Sequence, residues 1–352
     1  MDQKFSKLRF KEFTKAAAAA AVGGALVLQP VAAMATPVNI GSGTGAITIT
    51  VGNAVWHLNN NITFQSTSSN WGFSEGSLHT ASGTRDDAFD GALSWLVNGP
   101  APLGGYVSPS GTVDITPFPL NPAAGTTVTG APQNLAGLTV TGQIYFSPVK
   151  AVARSLLIMQ NPTGAPITVT VENATNRGSD NNTIMQATSS GDAAFDSTDN
   201  WLVSSETANP TTANDPILTF AFSQATAAVR GTPNPAPANG NDKFFEFYTV
   251  TVPAGATRSV MMFVQMSDTV AHAVADAALF NTNASLQATD YLTGLSALQQ
   301  GQIVNWTLNP HPIPVPTLSQ WALIGMAGLL GLVGLSRAGF LGRRRHRPTR
   351  AL

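Results

Sequence analysis

Phe247-Tyr248-Thr249-Val250-Thr251-Val252, continued across Pro253 to Thr257 by Arg258-Ser259-Val260-Met261-Met262-Phe263-Val264-Gln265, is the stretch whose reading decides the fold. Its first half alternates apolar and polar side chains. In an extended chain that period places one set on a buried face and leaves the other in water. The second half is apolar and extended in character, and Pro253-Ala254-Gly255 between them is turn chemistry. Five connecting residues suit an antiparallel return, so the expectation is a β-hairpin. Working outward, Ile47 to Val51, Leu138 to Phe146, Ala153 to Met159, Thr168 to Val171 and Ile217 to Phe222 read as strands as well. Turn clusters such as Asn161-Pro162 and Asn173 bound them. Many short strands at such spacing predict an all-β chain, a large antiparallel β-sandwich. Near its end, Val270, Val274, Ala277 and Ala278 recur at helical spacing after Ser267, a good cap, and a second short helix is expected from Leu292 to Gln299.

Composition narrows the setting. The formal charge of −1 hides an asymmetry, since five of the 18 basic residues lie before Ala16 and six lie after Leu335. Between Thr36 and Pro310, seven basic side chains face seventeen acidic ones, a formal −10 over 275 residues. Nucleic acid and anionic membrane surfaces are therefore unfavourable partners for the body. Cysteine is absent, which excludes disulfides, thiolate metal sites and cysteine nucleophiles, and the fold must rest on its own buried core.

The two ends read as addresses. Lys4, Lys7, Arg9, Lys11 and Lys15 precede an uncharged stretch from Ala16 to Leu28, then Ala33-Met34-Ala35, the small-x-small pattern that a signal peptidase accepts. Thirteen apolar residues fall short of the ~20 that span a bilayer, which favours a signal peptide of residues 1–35 cut after Ala35 over a retained anchor. At the other end, residues 309–316 carry proline at alternate places, a stiff extended spacer. Leu318 to Leu335 is apolar apart from Ser319 and Gln320, long enough for one transmembrane helix, and six arginines follow it. Such a cluster stays in the cytoplasm, so the body faces outward.

Val315-Pro316-Thr317-Leu318-Ser319-Gln320-Trp321, the Gly/Leu-rich span and the arginines together resemble the IPTL-CTERM sorting signal, over residues 315–352. Val315 stands where that pattern has isoleucine, while Pro316, Thr317, Leu318 and Trp321 fit it. The resemblance implies processing by an exosortase-type membrane protease and transfer to a carrier on a Gram-negative surface. An unprocessed C-terminal anchor would give the same orientation.

Within the body, Asp86-Asp87-Ala88-Phe89-Asp90 with Trp95-Leu96-Val97 is echoed, at an offset of 106, by Asp192-Ala193-Ala194-Phe195-Asp196 with Trp201-Leu202-Val203. A duplicated β-unit within residues 36–308 would explain the echo, and so would chance. The segment from Gly137 to Asp180, with Gly137-x-x-Val140-Thr141-Gly142-x-Ile144-Tyr145-Phe146, is similar to exported domains of the supersandwich kind.

No motif establishes a reaction. Gly72-Phe73-Ser74-Glu75-Gly76 has the nucleophile-elbow spacing without the flanking strand and helix the elbow needs. Gly41 to Ala46 mimics a dinucleotide loop but leads into a strand. Asp86, Asp87 and Asp90, with Asp192, Asp196 and Asp199, gather oxygen donors that would interest calcium, yet lack the register of a known loop, and solvated turn carboxylates are the simpler reading. The same acids as paired glycosidase carboxylates remain an alternative that spacing alone does not decide. Trp56, Trp71, Trp95, Trp201 and Trp306 would suit sugar stacking or core packing, and Leu-Val beside Trp95 and Trp201 favours the core. His57, His79 and His272 show no zinc spacing. The expectation is an exported, surface-sorted, non-enzymatic structural or interaction protein without a cofactor, whose partners are signal peptidase, an exosortase-type protease and a matrix component. The alternative is a protein that binds or cleaves carbohydrate.

Overall fold

Every residue from Ser259 to Ser267 is buried, which a strand with one wet face cannot be. That fact sets the architecture. In the computed structural model, which describes residues 36–40, 47–62, 70–99, 105–106, 111–117, 126–234 and 236–308, this segment is a middle strand of a three-layered, mostly antiparallel β fold. The largest sheet runs β1 (Thr36–Ile40), β8 (Gly111–Pro117), β9 (Thr126–Gly130), β11 (Leu138–Phe146), β12 (Val152–Gln160), β19 (Thr257–Ser267), β16 (Ile217–Ala221), β15 (Trp201–Ser205) and β14 (Ile184–Thr188), with β10 (Gln133–Leu135) beside β11. A second sheet runs β17 (Thr232–Pro233), β18 (Lys243–Val252), β13 (Ile167–Asn176), β6 (Ser94–Asn98) and β7 (Gly105–Tyr106). A third is the meander β2 (Ile47–Val51), β3 (Ala54–Ile62), β4 (Asn70–Thr80) and β5 (Gly83–Arg85).

The two smaller sheets share one apolar core with a single face of the largest. Val260, Met262 and Val264 of β19 point into it, as do Ala153 and Leu157 of β12. At one end Trp56 packs on Phe73 and Phe146 with ring centroids 5.2 and 5.6 Å apart. The alternate residues Met261 and Phe263 point the other way, into a second core closed by α1 (Val270–Ala277), α2 (Asn283–Gln287) and α3 (Ala297–Gln302). There Phe263 meets Phe280 at 5.0 Å and the edge of Trp306 at 5.2 Å.

The expected hairpin is not formed. β18 pairs with β13 and β17, whereas β19 pairs with β12 and β16, so Pro253 to Ala256 carries the chain from one sheet to another. The reason lies in burial: β18 exposes Thr249 and Thr251 and belongs to an outer layer, while β19 needs cover on both faces. Residues 161–166 make the same crossing from β12 to β13, and the two arches are stitched together. The Asn161 N–H donates to Ala256 O at 2.9 Å, its Nδ2 donates to Val252 O at 2.9 Å, and the Gly255 N–H donates to Thr163 O at 3.2 Å. Gly255 sits at φ +67, a conformation that favours glycine.

Helix positions also shift from expectation. Ser267 ends β19, and Thr269 caps α1 by accepting from the His272 N–H at 3.1 Å. Gly294 at φ +81 breaks the segment expected to be helical from Leu292, so α3 starts later behind Ser296, which forms a capping box with Gln299. Leu292 and Leu295 are spent in a turn buried against the aromatic cluster. Among the described residues no helix is long and apolar enough to cross a membrane. The leader with Ala33 and Ala35, the glycine-rich run 41–46, the Pro-rich spacer, the sorting motif from Val315 to Trp321 and the span 318–335 lie outside the described residues.

Candidate functional site

The acidic echo is placed on two separate loops. Asp86, Asp87 and Asp90 are exposed on the loop leading into β6, which packs against Gly178, where a side chain would meet Asp87 O at 2.7 Å. Asp192, Asp196 and Asp199 lie on the loop leading into β15, a strand of a different sheet. Both loops bury a phenylalanine, Phe89 and Phe195, and both strands carry a buried tryptophan. Trp95 Nε1 donates to Ser155 Oγ at 2.8 Å across the sandwich, while Trp201 Nε1 donates to Asn281 Oδ1 at 2.7 Å in the helical layer.

The second loop uses its carboxylates on itself. Asp192 Oδ1 accepts from the Ala194 N–H and from the Ser190 and Thr188 hydroxyls, and Asp196 Oδ1 accepts from the N–H and hydroxyl of Thr198. These bonds hold both acids below the usual carboxylate range. The buried Asp199 accepts from Ser190 N and Ser189 Oγ with one oxygen and from Asp196 N with the other. Among the described residues no three His, Asp or Glu side chains converge as ligands of a metal ion.

The tryptophans Trp56, Trp95, Trp201 and Trp306 are core residues, at most 5% exposed, and present no face to a sugar. The Gly72 to Gly76 motif lies inside the continuous strand β4, where Ser74 Oγ donates to His57 O at 3.3 Å. The elbow geometry is absent.

What the topology does assemble is a cleft of about 490 Å³ where three connections meet. His79 and Thr80 at the end of β4 with Ala81 of the β4–β5 turn form one wall, Val149 and Lys150 of the β11–β12 turn a second, and His272 and Asp276 of α1 a third. The floor is the end of β19, with Gln265, Met266 and Ser267 all buried, beside Leu78 and Ala151. Charged groups inside the cleft have partners: Lys150 forms an ion pair with Asp276 Oδ1, and His272 Nδ1 lies 2.6 Å from Asp268 Oδ1, within hydrogen-bonding distance. Burial works to raise the Asp268 carboxyl, but the hydrogen bond and charge of His272 hold it below its ordinary value. Gln265 Nε2 donates to Asp276 Oδ2 at 2.7 Å and to Ser267 Oγ at 3.2 Å, which fixes the amide and leaves its buried Oε1 without a partner. A second hollow of about 590 Å³, lined by Arg85, Gln186 and Thr211, adjoins across Asp268.

Of these cleft residues the sequence singles out only His79 and His272, whose spacing suits no zinc site. Asp268 and His272 at i,i+4 was the local signal available; the remainder is scattered from Asn53 to Asp276.

Beside the cleft, Arg154 lies buried on the helix-facing side of β12, its guanidinium 4.9 Å above the Tyr145 ring. Its Nη1 donates to Tyr291 O at 2.7 Å and Thr293 O at 3.0 Å, and Asp290 accepts from Tyr145 Oη at 2.8 Å and from Ser147 Oγ at 3.0 Å. Burial pushes Arg154 down to about 9. This group clamps the 290–293 turn onto the sheet and thereby fixes the helical layer that walls the cleft.

Residues 313–346 match the IPTL-CTERM motif, which takes in Ile313-Pro314 ahead of the expected sorting residues. Comparison with curated proteins gives no match. Among solved structures, a galactose mutarotase-like protein from Lactobacillus casei is similar at 10% identity and a TM-score of 0.37, over 63% of this chain and 100% of its own. A 4-alpha-glucanotransferase from Thermococcus litoralis is similar at 7% identity and 0.38, over 67% of this chain and 40% of its own. A polysaccharide lyase is similar at 10% identity and 0.35, over 58% and 32% respectively. At these scores the likeness transfers no activity.

Proposed function

We propose that this chain is exported, cut after Ala35 by signal peptidase, and sorted to the cell surface through its C-terminal signal, where the acidic β body serves as a structural or interaction module. The IPTL-CTERM motif at residues 313–346 carries this reading. It follows closely on a folded body whose last described residue is Leu308. The expected helix from Leu318 to Leu335 with its arginines holds the tail in the inner membrane while an exosortase-type protease cuts beside Val315 to Trp321 and joins the body to a surface carrier. No catalytic role is assigned to the body. Surface glycan is a second reading for the partner, favoured by the cleft beside α1, whose charged side chains are already partnered within the protein. Mass spectrometry of the cell-associated protein tests the sorting reading by recording both termini. The expected species begins at Thr36, lacks the arginine tail and carries extra mass at its new C-terminus. A cytosolic chain with residues 1–35 intact would overturn it.

A further inference from the structure

We infer that the cleft between the β4–β5 turn, the β11–β12 turn and α1 is a binding site for a neutral saccharide, an inference that deepens the interaction reading above and takes from it only the surface setting. At about 490 Å³ the cleft is within the range of roughly 300–1,000 Å³ typical of small-ligand sites. Its chemistry has three parts that point the same way.

First, its floor holds a hydrogen-bond acceptor that the protein leaves unused. Gln265 is only 2% exposed, and its amide orientation is set by the two bonds from Nε2 to Asp276 and Ser267. Oε1 then has no donor. A buried acceptor left unpaired costs about 1–3 kcal/mol, and a ligand O–H or N–H that reached it by displacing the side chains over it would recover that loss. Second, the charged groups already have partners within the protein. Lys150 is ion-paired with Asp276 and the His272 ring is hydrogen-bonded to Asp268, so the ammonium and both carboxylates in the cleft already have partners. Lys150 Nζ nonetheless retains N–H donors beyond its bond to Asp276. Donors and acceptors side by side suit a hydroxyl, which gives one hydrogen bond and accepts another. Third, the polar groups adjoin an apolar strip made by Leu78, Ala81, Val149, Ala151 and Met266, with Val149 69% exposed at the rim. A sugar ring presents this combination, hydroxyls at its edge and C–H groups on its face. An anionic saccharide would also have to approach a body of formal charge −10.

The test uses the processed protein purified as the cell makes it. It is titrated calorimetrically with maltotriose, cellotriose, laminaritriose and β-1,4-galactotriose, with trigalacturonate as the charged comparator. The expected result is saturable binding of at least one neutral trisaccharide, weakened roughly tenfold or more by Lys150→Met and by Val149→Trp. Both substitutions sit at exposed positions, so an unchanged melting temperature separates a lost site from a lost fold. Gln265→Leu, in a buried position, is read only where its melting curve stays cooperative, and it too should lose binding. Absence of heat with all four neutral sugars overturns the site. So does tighter binding of trigalacturonate, or rim variants that bind like the parent. A chain with the processed termini that binds none of them overturns the saccharide site and leaves the sorting reading standing; a saccharide-binding chain with unprocessed termini does the reverse.

Discussion

β18 and β19 are consecutive in the chain and separated by four residues, yet one is buried on alternate positions and the other at every position from Ser259 on. β18 alternates, with Phe244, Glu246, Tyr248, Val250 and Val252 inward and Thr249 and Thr251 in water. β19 is covered on both sides, by the sandwich core at Val260, Met262 and Val264 and by the helical layer at Met261 and Phe263. The difference teaches that chain proximity does not imply pairing: a strand with one apolar face and a strand with two must lie in different layers, and the chain between them must cross.

The largest expected effect comes from emptying the second face of β19. Phe263 is fully buried and touches the rings of Phe280, Tyr291 and Trp306, so Phe263→Ala should cost about 4 kcal/mol of unfolding free energy. Phe247→Ala on the outer face of β18, where the ring is only half-buried, should cost about 1 kcal/mol. Urea unfolding of both variants measures the contrast. Equal losses would mean that the helical layer contributes little to holding β19 in place.

That contrast was half legible in the sequence. Leu138 to Phe146 was bounded to the residue because its alternation and flanking turns agree. The run Val260 to Gln265 reads as strand, and the continuous apolarity from Val260 to Val264 is the sign of cover on both faces. A link of four or five residues fits a hairpin and an arch equally well, and local turn chemistry does not distinguish them. Arg154, in a largely apolar strand, is a second hint, since a buried guanidinium needs carbonyl partners and these come from Tyr291 and Thr293, far along the chain. The cleft was legible only at Asp268 and His272; Lys150, Gln265 and His79 meet through sheet order, which no local pattern reveals.

A medium effect belongs to the inward face of β18. Glu246 is 2% exposed and faces Gly231 so closely that a Cβ there would sit 1.9 Å from Oε1. Burial pushes its carboxyl up to about 8, with Arg230 pulling weakly the other way. The folded value exceeds the ordinary value of 4.5, so the protonated acid is the form that the core accepts. Its favourable contribution is complete below pH 4.5 and is lost as the pH rises toward 8, with about 3 kcal/mol gone near pH 7. Glu246→Gln removes the titration. The variant should match the parent at pH 4.5 and exceed it in melting temperature progressively up to pH 8, and a pH-independent difference between the two would show that the carboxyl ionises freely in the folded chain.

The smallest of the three effects concerns the crossing itself. Asn161 is fully buried and satisfies four bonds: Nδ2 donates to Ala165 O at 2.8 Å and Val252 O at 2.9 Å, and Oδ1 accepts from the N–H and hydroxyl of Thr163. Ala165 belongs to one arch and Val252 to the strand entering the other, so a single side chain sets the spacing of the two crossings. Asn161→Ala leaves the Val252 carbonyl without its side-chain partner in a place that water reaches poorly, at a cost of about 2 kcal/mol. Asn161→Asp separates shape from donation, because it keeps the acceptor to Thr163 and loses the donor to both carbonyls. If the arches hold β18 and β19 in their separate layers, both variants should lose stability, the Asp variant more because its buried carboxylate faces two carbonyl oxygens, and amide exchange should rise first at residue 161 and Gly255, whose N–H groups bond across the two turns. Exchange that rises uniformly along β18 and β19 instead would assign the separation of the layers to their two different burial patterns alone, with the arches following passively.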